Sequence, residues 1–478
     1  LLRISSPCFL CSGLPLAAMW HHFFIVLFLS YSLCDLVAQG IDWKGPSVDF
    51  EHGRLRVSKD KRYLEHEDGT PFFYLADTAW ELFHRLNEKE VELYLENRRA
   101  KGFTVIQAVI LAELDGLNTP NANGEKPFLS KDIKLINEEY FKWVDKVIRM
   151  AEKKGLYIGL LPTWGDKVDK QWGVGPVVFN PDNASWYARW LAERYVSFKN
   201  IIWINGGDRW GGDNNYPVWD AIGKALKEYD GNHLITFHPQ GECSSGQWFH
   251  ACDWLDFNMS QTGHCQRNYE IYERLILKDY DRIPVKPCLD GEPRYENHPI
   301  CWKPDSLGWF DEVDVRQAMY WNLFSGSMGH TYGCHDVWQM LALGREPIGL
   351  ARGYWKTSLD LPGAKQLIHA RRLMERYSWE ERKPAPEMII SDNSSYDHKI
   401  VALKGKDFVF VYFPNGETAV LDFNKVFPGK SLDLYWMDPR NGNVRKGNEV
   451  KNGKPVSITP PSFGRGNDWV LIGKIKTR

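Results

Sequence analysis

Short apolar runs alternate with helix-patterned stretches along most of the chain. Runs at 72–76, 104–111, 156–161, 201–205, 233–238, 254–259, 285–290 and 330–332 have the length and composition of buried strands. Between them, apolar residues recur at three- and four-residue spacing and predict helices over 87–101, 138–154, 185–198, 216–229, 269–278 and 315–324. In the second of these, Tyr140, Phe141, Val144, Val147, Ile148 and Ala151 share one face, and Gly155 follows as a stop. Eight strands alternating with helices predict an α/β fold, and the count and length favour a (β/α)₈ TIM barrel over an open sheet. A short hairpin, 54–57 with 63–66, precedes the first strand.

The rhythm changes after one more helix at 364–380. Lys383-Pro384-Ala385-Pro386 reads as a linker. Beyond it, short strands at 399–403, 408–413, 419–423, 432–436 and 469–472 are separated by turn signals such as Pro414-Asn415-Gly416 and Lys451-Asn452-Gly453, which predicts a small antiparallel β-sandwich. The expected division is a leader over 1–39, a barrel with its N-terminal hairpin over 40–385, and a sandwich over 386–478. Within the leader, Met19 precedes an apolar run at 23–34 that is too short to span a bilayer and suits a signal peptide. Residues 1–18 then read as an upstream extension of the reading frame. Export to a bacterial periplasm or surface, or secretion, is the expectation, with no stable membrane span.

Net charge is −2, from 59 basic and 61 acidic residues, which argues against a nucleic-acid partner. Aromatic residues are in excess at 14%, with 21 Trp, more than a core of this size requires. Beyond the leader stand Cys243, Cys252, Cys265, Cys288, Cys301 and Cys334. Export permits disulfides, but free thiols and disulfides both remain open here. No GxGxxG follows the first strand, and neither GxSxG nor a Walker loop occurs. His250, His264 and His298 occur singly, so neither a catalytic metal nor a cofactor is expected.

In a (β/α)₈ barrel, chemistry sits where strands end. Strand four runs into Gly206-Gly207-Asp208, and strand seven into Asp290-Gly291-Glu292. These carboxylates come from opposite sides of the barrel and can flank one substrate. Glycosidic cleavage needs such a pair, one to protonate the leaving oxygen and one to attack the anomeric carbon or activate water. Trp80, Trp164, Trp172, Trp210 and Trp338 fall in strand-end loops, where indole faces can pack on the C–H faces of sugars. Asp77, Gln107, His238 and His335 hold strand-end positions suited to sugar hydroxyls. A non-catalytic carbohydrate-binding protein on the same scaffold is the alternative.

Tyr74-Leu75-Ala76-Asp77-Thr78-Ala79-Trp80, Ile202-Trp203-Ile204-Asn205-Gly206-Gly207-Asp208 and Asp290-Gly291-Glu292-Pro293 resemble the apiosidase-like proteins, glycoside hydrolase family 140, over about residues 50–478. The resemblance implies a barrel followed by a β-sandwich and a retaining mechanism, with Asp208 as general acid/base and Glu292 as nucleophile. It implies a plant polysaccharide substrate, the apiose-containing side chains of the pectin rhamnogalacturonan II. The wider barrel clan usually carries Asn-Glu at strand four, so Asp208 is one methylene shorter than that pattern. Retention implies carboxyl groups roughly 5–5.5 Å apart. Neither the sugar linkage nor the oligomeric state is legible.

Overall fold

Most of the apolar runs contain a strand whose two faces are covered. In a computed structural model, which describes residues 42–476 other than Asn452, the eight parallel strands are β1 (Tyr74–Thr78), β2 (Val105–Leu111), β3 (Tyr157–Thr163), β4 (Ile201–Arg209), β5 (Ile235–Pro239), β6 (Asn258–Gln261), β7 (Cys288–Asp290) and β8 (Gly329–Tyr332). The leader reading of 1–39 lies outside the described residues. The strand order is β5-β4-β3-β2-β1-β8-β7-β6, with Cys243–Ser244 added antiparallel to β6. The gap between β5 and β6 is bridged by Asp256 N donating to Ile235 O at 2.8 Å and by Thr236 Oγ1 donating to Phe257 O at 2.7 Å. The sheet is therefore a nearly closed barrel.

Strand alternation divides the core in two. Tyr74, Ala76, Val105, Val109, Leu161, Ile202 and Ile204 fill the barrel interior. Leu75, Ile106, Ile110, Ile158 and Trp203 face the surrounding helices. The N-terminal end is plugged by the strands Leu55–Val57 and Leu64–His66, with Phe50 and Phe72 packed edge-on against Tyr157. The helices begin where the chain offers caps. Asn87 and Glu90 form a capping box before α1 (Glu88–Ala100), and Asn137 caps α2 (Glu138–Glu152). Asn180 followed by Pro181 starts α3 (Pro181–Tyr195) four residues before the predicted 185. The helix α4 (Tyr216–Tyr229) falls where predicted, and α5 (Glu312–Phe324) starts at the Asp311 cap.

Three expectations are corrected. The sixth strand is 258–261 rather than 254–259, because Trp254 and Leu255 pack outside the barrel while the polar Asn258 and Ser260 make the ladder. The stretch 364–380 is two helices, Pro362–Gln366 and Ile368–Arg376. Residues 383–386 are not a free linker: Lys383–Pro384 pairs antiparallel with β9 (Val401–Lys404).

The C-terminal part contains β10 (Phe408–Phe413), β11 (Ala419–Leu421), β12 (Leu432–Met437), β13 (Val444–Val450), β14 (Val456–Ile458) and β15 (Trp469–Ile475). A six-stranded antiparallel sheet, ordered Lys383–Pro384, β9, β10, β15, β12, β13, faces the two-stranded pair β11-β14. One face of the large sheet packs on the barrel. Tyr412 stacks on Tyr320 at 4.9 Å and Phe410 on Phe324 at 5.8 Å, both partners lying on α5. Arg316 of α5 binds Asp468 through two bonds of 2.9 and 2.6 Å, and both side chains are buried. Removing one partner strands the other charge. Arg316→Ala is expected to cost about 3–5 kcal/mol, read as a lower denaturation midpoint in urea.

Candidate active site

Strand β4 ends in a backbone that few sequences can adopt. Gly206 and Gly207 have φ of 92° and 122°, and the pairing register with β5 shifts after Gly206. A Cβ on Gly206 would lie 2.4 Å from His238 O, and one on Gly207 2.9 Å from Gly165 N. The glycine pair lets β4 press against both neighbours. Asp208 follows with φ 57°, a left-handed conformation that Asp tolerates better than most residues. The result is a carboxyl group on the wall of a cavity of about 620 Å³ at the C-terminal mouth of the barrel.

Loop contacts fix what surrounds Asp208. Arg209 donates to Asp169 O at 2.7 Å and also to Trp172 O, and its guanidinium lies 4.6 Å from the Trp172 ring. Asp166, ion-paired with Lys167 at 2.7 Å, accepts from Gly175 N at 2.6 Å. The loop after β3 is thereby held with Trp172 over Asp208, and the indole N–H donates to the Asp208 carboxyl. Trp80 and Trp164 pack 5.0 Å apart behind it, each against the His238 ring.

Glu292, just past β7, lines the same cavity. His264 Nε2 donates to its Oε1 at 3.0 Å. His238 Nε2 lies 3.0 Å from its Oε2, an electrostatic contact rather than an aligned hydrogen bond. Asp208 N–H donates to His238 Nδ1 at 3.3 Å, which leaves the imidazole proton on Nε2, toward Glu292. One histidine thus touches the backbone of one carboxylate residue and the side chain of the other. His264 stacks on His298 at 4.3 Å, and His298 meets His335 edge-on at 4.2 Å. Burial pushes the imidazoles of His298 and His335 down, the latter to about 4, so these two rings are neutral at ordinary pH. A disulfide between Cys265 and Cys301 ties the loop after β6 to the loop after β7, beside His264 and Trp302. Cys243, Cys252, Cys288 and Cys334 are free thiols.

The two carboxyl groups are biased in opposite directions. Burial, then the negative charge of Glu292, pushes Asp208 up to about 7. Burial opposes ionisation of Glu292 as well, but the close contact with His238 and the hydrogen bond from His264 outweigh it and hold Glu292 down at about 2. At mildly acidic pH the site favours one ionised carboxylate and one protonated carboxyl group, the division of labour required of a nucleophile and a general acid. The Trp172 indole works against the proton on Asp208. Trp172→Phe is therefore expected to raise the Asp208 pKa, shifting the alkaline limb of kcat/KM upward. An unmoved limb would separate Trp172 from proton transfer.

Among residues expected from sequence, Asp208, Glu292, Trp80, Trp164, Trp172, His335 and Trp338 line the cavity. His238 lies beneath it, fully buried against Glu292, so it positions a carboxylate instead of meeting a hydroxyl. Three expected sugar contacts are corrected. Asp77 shares the outward parity of Leu75 and is buried against Arg98 at 2.7 Å, with Tyr94 also donating to it. Gln107 points into the closed barrel, donating to Gly291 O at 3.0 Å and Thr331 Oγ1 at 3.2 Å. Trp210 packs edge-on against Trp248 at 4.6 Å and is not among the residues lining the cavity. Sequence reasoning did not single out Glu113, Tyr295 or Trp302 as site residues, and considered His264 and His298 only as metal ligands, yet all five line the cavity. Among the described residues, no cluster suited to a metal ion occurs.

Residues 58–381 match the family model described as "Apiosidase-like, catalytic domain", and residues 384–474 match "Putative collagen-binding domain of a collagenase". No curated protein matches the chain. A solved structure titled "Glycoside hydrolase" is 34% identical, with a TM-score of 0.83, covering 90% of this chain and 99% of its own. A structure described as a glycoside hydrolase family 5 protein from Bacteroides vulgatus is 32% identical, with a TM-score of 0.82 and coverage of 89% and 94%. A more distant B. vulgatus structure, 17% identical with a TM-score of 0.64, shares the fold.

Proposed function

Because the chain belongs to the apiosidase-like family of glycoside hydrolases, we propose that it cleaves plant cell-wall glycans with retention of anomeric configuration, and that apiose-bearing side chains of rhamnogalacturonan II are its substrate. The enzyme class rests on family membership. The assignment of roles is supported by two carboxyl groups lining one cavity, one pushed up by burial and by its neighbour's charge, the other held down by two histidines.

Catalysis proceeds in two displacements. In the first, a Glu292 carboxylate oxygen attacks the anomeric carbon. The bond from that carbon to the glycosidic oxygen breaks, and Asp208 gives its proton to the departing oxygen. The product is a glycosyl ester on Glu292, and Asp208 is left ionised. In the second, Asp208 takes a proton from water as the water oxygen attacks the same carbon. The ester bond breaks, Glu292 departs as a carboxylate, and both groups return to their starting states. His238 and His264 stabilise the Glu292 charge at the start and end of the cycle. The aromatic walls supply faces for the sugar and exclude bulk water.

The test is incubation of the purified protein with a panel of plant polysaccharides, following the anomeric configuration of the first-formed product by NMR. Release of apiose with its original configuration is expected. An inverted product would assign Glu292 to activating water, and no release from apiose-containing pectin would remove the substrate assignment. Export to the periplasm, cell surface or medium is part of the same proposal and is supported by the Cys265–Cys301 bond, which persists in an oxidising compartment. Cell fractionation checks it.

A further inference from the structure

A third carboxyl group faces the cavity and has no part in the two displacements. Glu113 lies two residues beyond β2. It is 9% exposed and lines the same cavity as Asp208 and Glu292. Among the described residues, no hydrogen bond or ion pair reaches its side chain. Its carboxyl oxygens are open to the cavity and not engaged by the protein, so a guest there can reach them.

The backbone around Glu113 is pinned from both sides. Buried Lys167 donates to Ala112 O at 2.7 Å. Leu114 N donates to buried Glu81 at 3.0 Å, and Glu81 is itself held by His84 at 2.7 Å. Two buried charged groups thus fix the residues before and after Glu113, and neither touches its carboxyl. The guanidinium of Arg209, whose charge reaches Glu113, is committed elsewhere: it donates to the carbonyls of Asp169, Asp208 and Trp172. The arrangement positions a side chain and leaves its polar end for a guest.

We propose that Glu113 is a substrate-recognition residue whose carboxyl group hydrogen-bonds a hydroxyl of an uncharged glycosyl unit in the cavity. The class of ligand follows from charge. The described residues lining the cavity include Glu113, Asp208, Glu242 and Glu292 but no lysine or arginine, so a sugar carboxylate would meet repulsion and no countercharge. Burial, with Asp208, Glu81 and Asp166 nearby, pushes the Glu113 carboxyl well up, which equips it to donate as well as accept. This proposal rests on the cavity being a glycosidase site. It does not depend on the sugar being apiose.

The test compares Glu113→Gln and Glu113→Ala with the wild type. Binding of free apiose, arabinose, xylose, galactose, mannose, rhamnose and fucose is followed by tryptophan fluorescence, and KM and kcat are measured on whichever glycan the wild type cleaves. Glu113→Ala is expected to weaken binding and raise KM about tenfold with kcat little changed. Glu113→Gln keeps a donor and an acceptor and should stay within about twofold of wild type. The alkaline limb of the pH profile, set by Asp208, should not move in either variant. The melting temperature of Glu113→Ala should hold or rise, because an unpaired buried carboxyl is removed; a structural residue would instead lower it on truncation. Unchanged binding and KM in Glu113→Ala overturn the proposal, as does a Glu113→Gln variant as impaired as the alanine, or a wild type that binds none of the sugars. Hydrolysis that is insensitive to Glu113 would leave the glycosidase reading intact. Sugar binding lost in Glu113→Ala by a protein that cleaves nothing would do the reverse.

Discussion

Replacing Glu292 by alanine is expected to lower kcat by about 10⁴-fold or more, because the glycosyl ester of the proposed mechanism can no longer form at that position. Added azide should restore part of the rate by entering the vacated space. It would attack the anomeric carbon from the nucleophile's face and release a glycosyl azide of inverted configuration. A variant that keeps substantial unassisted turnover would place the nucleophile elsewhere. The isosteric Glu292→Gln asks a second question of the same site. The charge of Glu292 helps keep the proton on Asp208. Neutralising it should bring the Asp208 pKa down from about 7, observable by carbon NMR of labelled aspartate. An unchanged titration would mean that burial alone sets it.

Asp208→Ala should reduce kcat on natural glycans by about 10²–10⁴-fold, the usual range for losing a general acid. The loss should be much smaller on aryl glycosides whose leaving group needs no proton, where slow hydrolysis of the glycosyl ester would instead limit turnover. The pH dependence follows in sign from the two shifts. Asp208 must carry its proton, so kcat/KM falls as pH rises through about 7. Glu292 must be ionised, so the acid limb lies only near pH 2. A plateau across mildly acidic pH is expected, bounded above by Asp208. In Asp208→Asn the alkaline limb should disappear. If it persists, another group supplies the proton.

Much of the barrel was legible because its strands are apolar on both faces and its helices carry caps and stripes. The exceptions have physical causes. Strand β6 reads Asn-Met-Ser-Gln, too polar and too short to stand out beside the aromatic stretch before it. Because that strand was misplaced, His264 gave no sign of lying at the barrel mouth. Strand β13, Val-Arg-Lys-Gly-Asn-Glu-Val, is an edge strand whose charges belong to solvent. Asp208 and Glu292 were findable because glycines before a carboxylate at a strand end form a local pattern. Asp77 looked equivalent by position. A one-residue difference in parity sends it outward to Arg98, and strand ends alone do not reveal parity. Glu113 lies in a loop and Trp302 ends a single 3-10 turn, Ile300–Trp302, and both are placed by long-range contacts with Lys167, Glu81 and Cys265 that no local pattern encodes.

The seam between α5 and the C-terminal sheet bears on how the enzyme can be divided. Two family models meet near residue 383, which invites cutting there to obtain a minimal catalytic fragment. Such a cut would strip Tyr320 and Phe324 of their stacking partners and leave the Arg316 charge without Asp468. It would also remove the strand that Lys383–Pro384 pairs with. The folding unit is accordingly larger than the catalytic one. Heat should melt both parts in a single calorimetric transition, and protease resistance of the barrel should vanish together with that of the sheet.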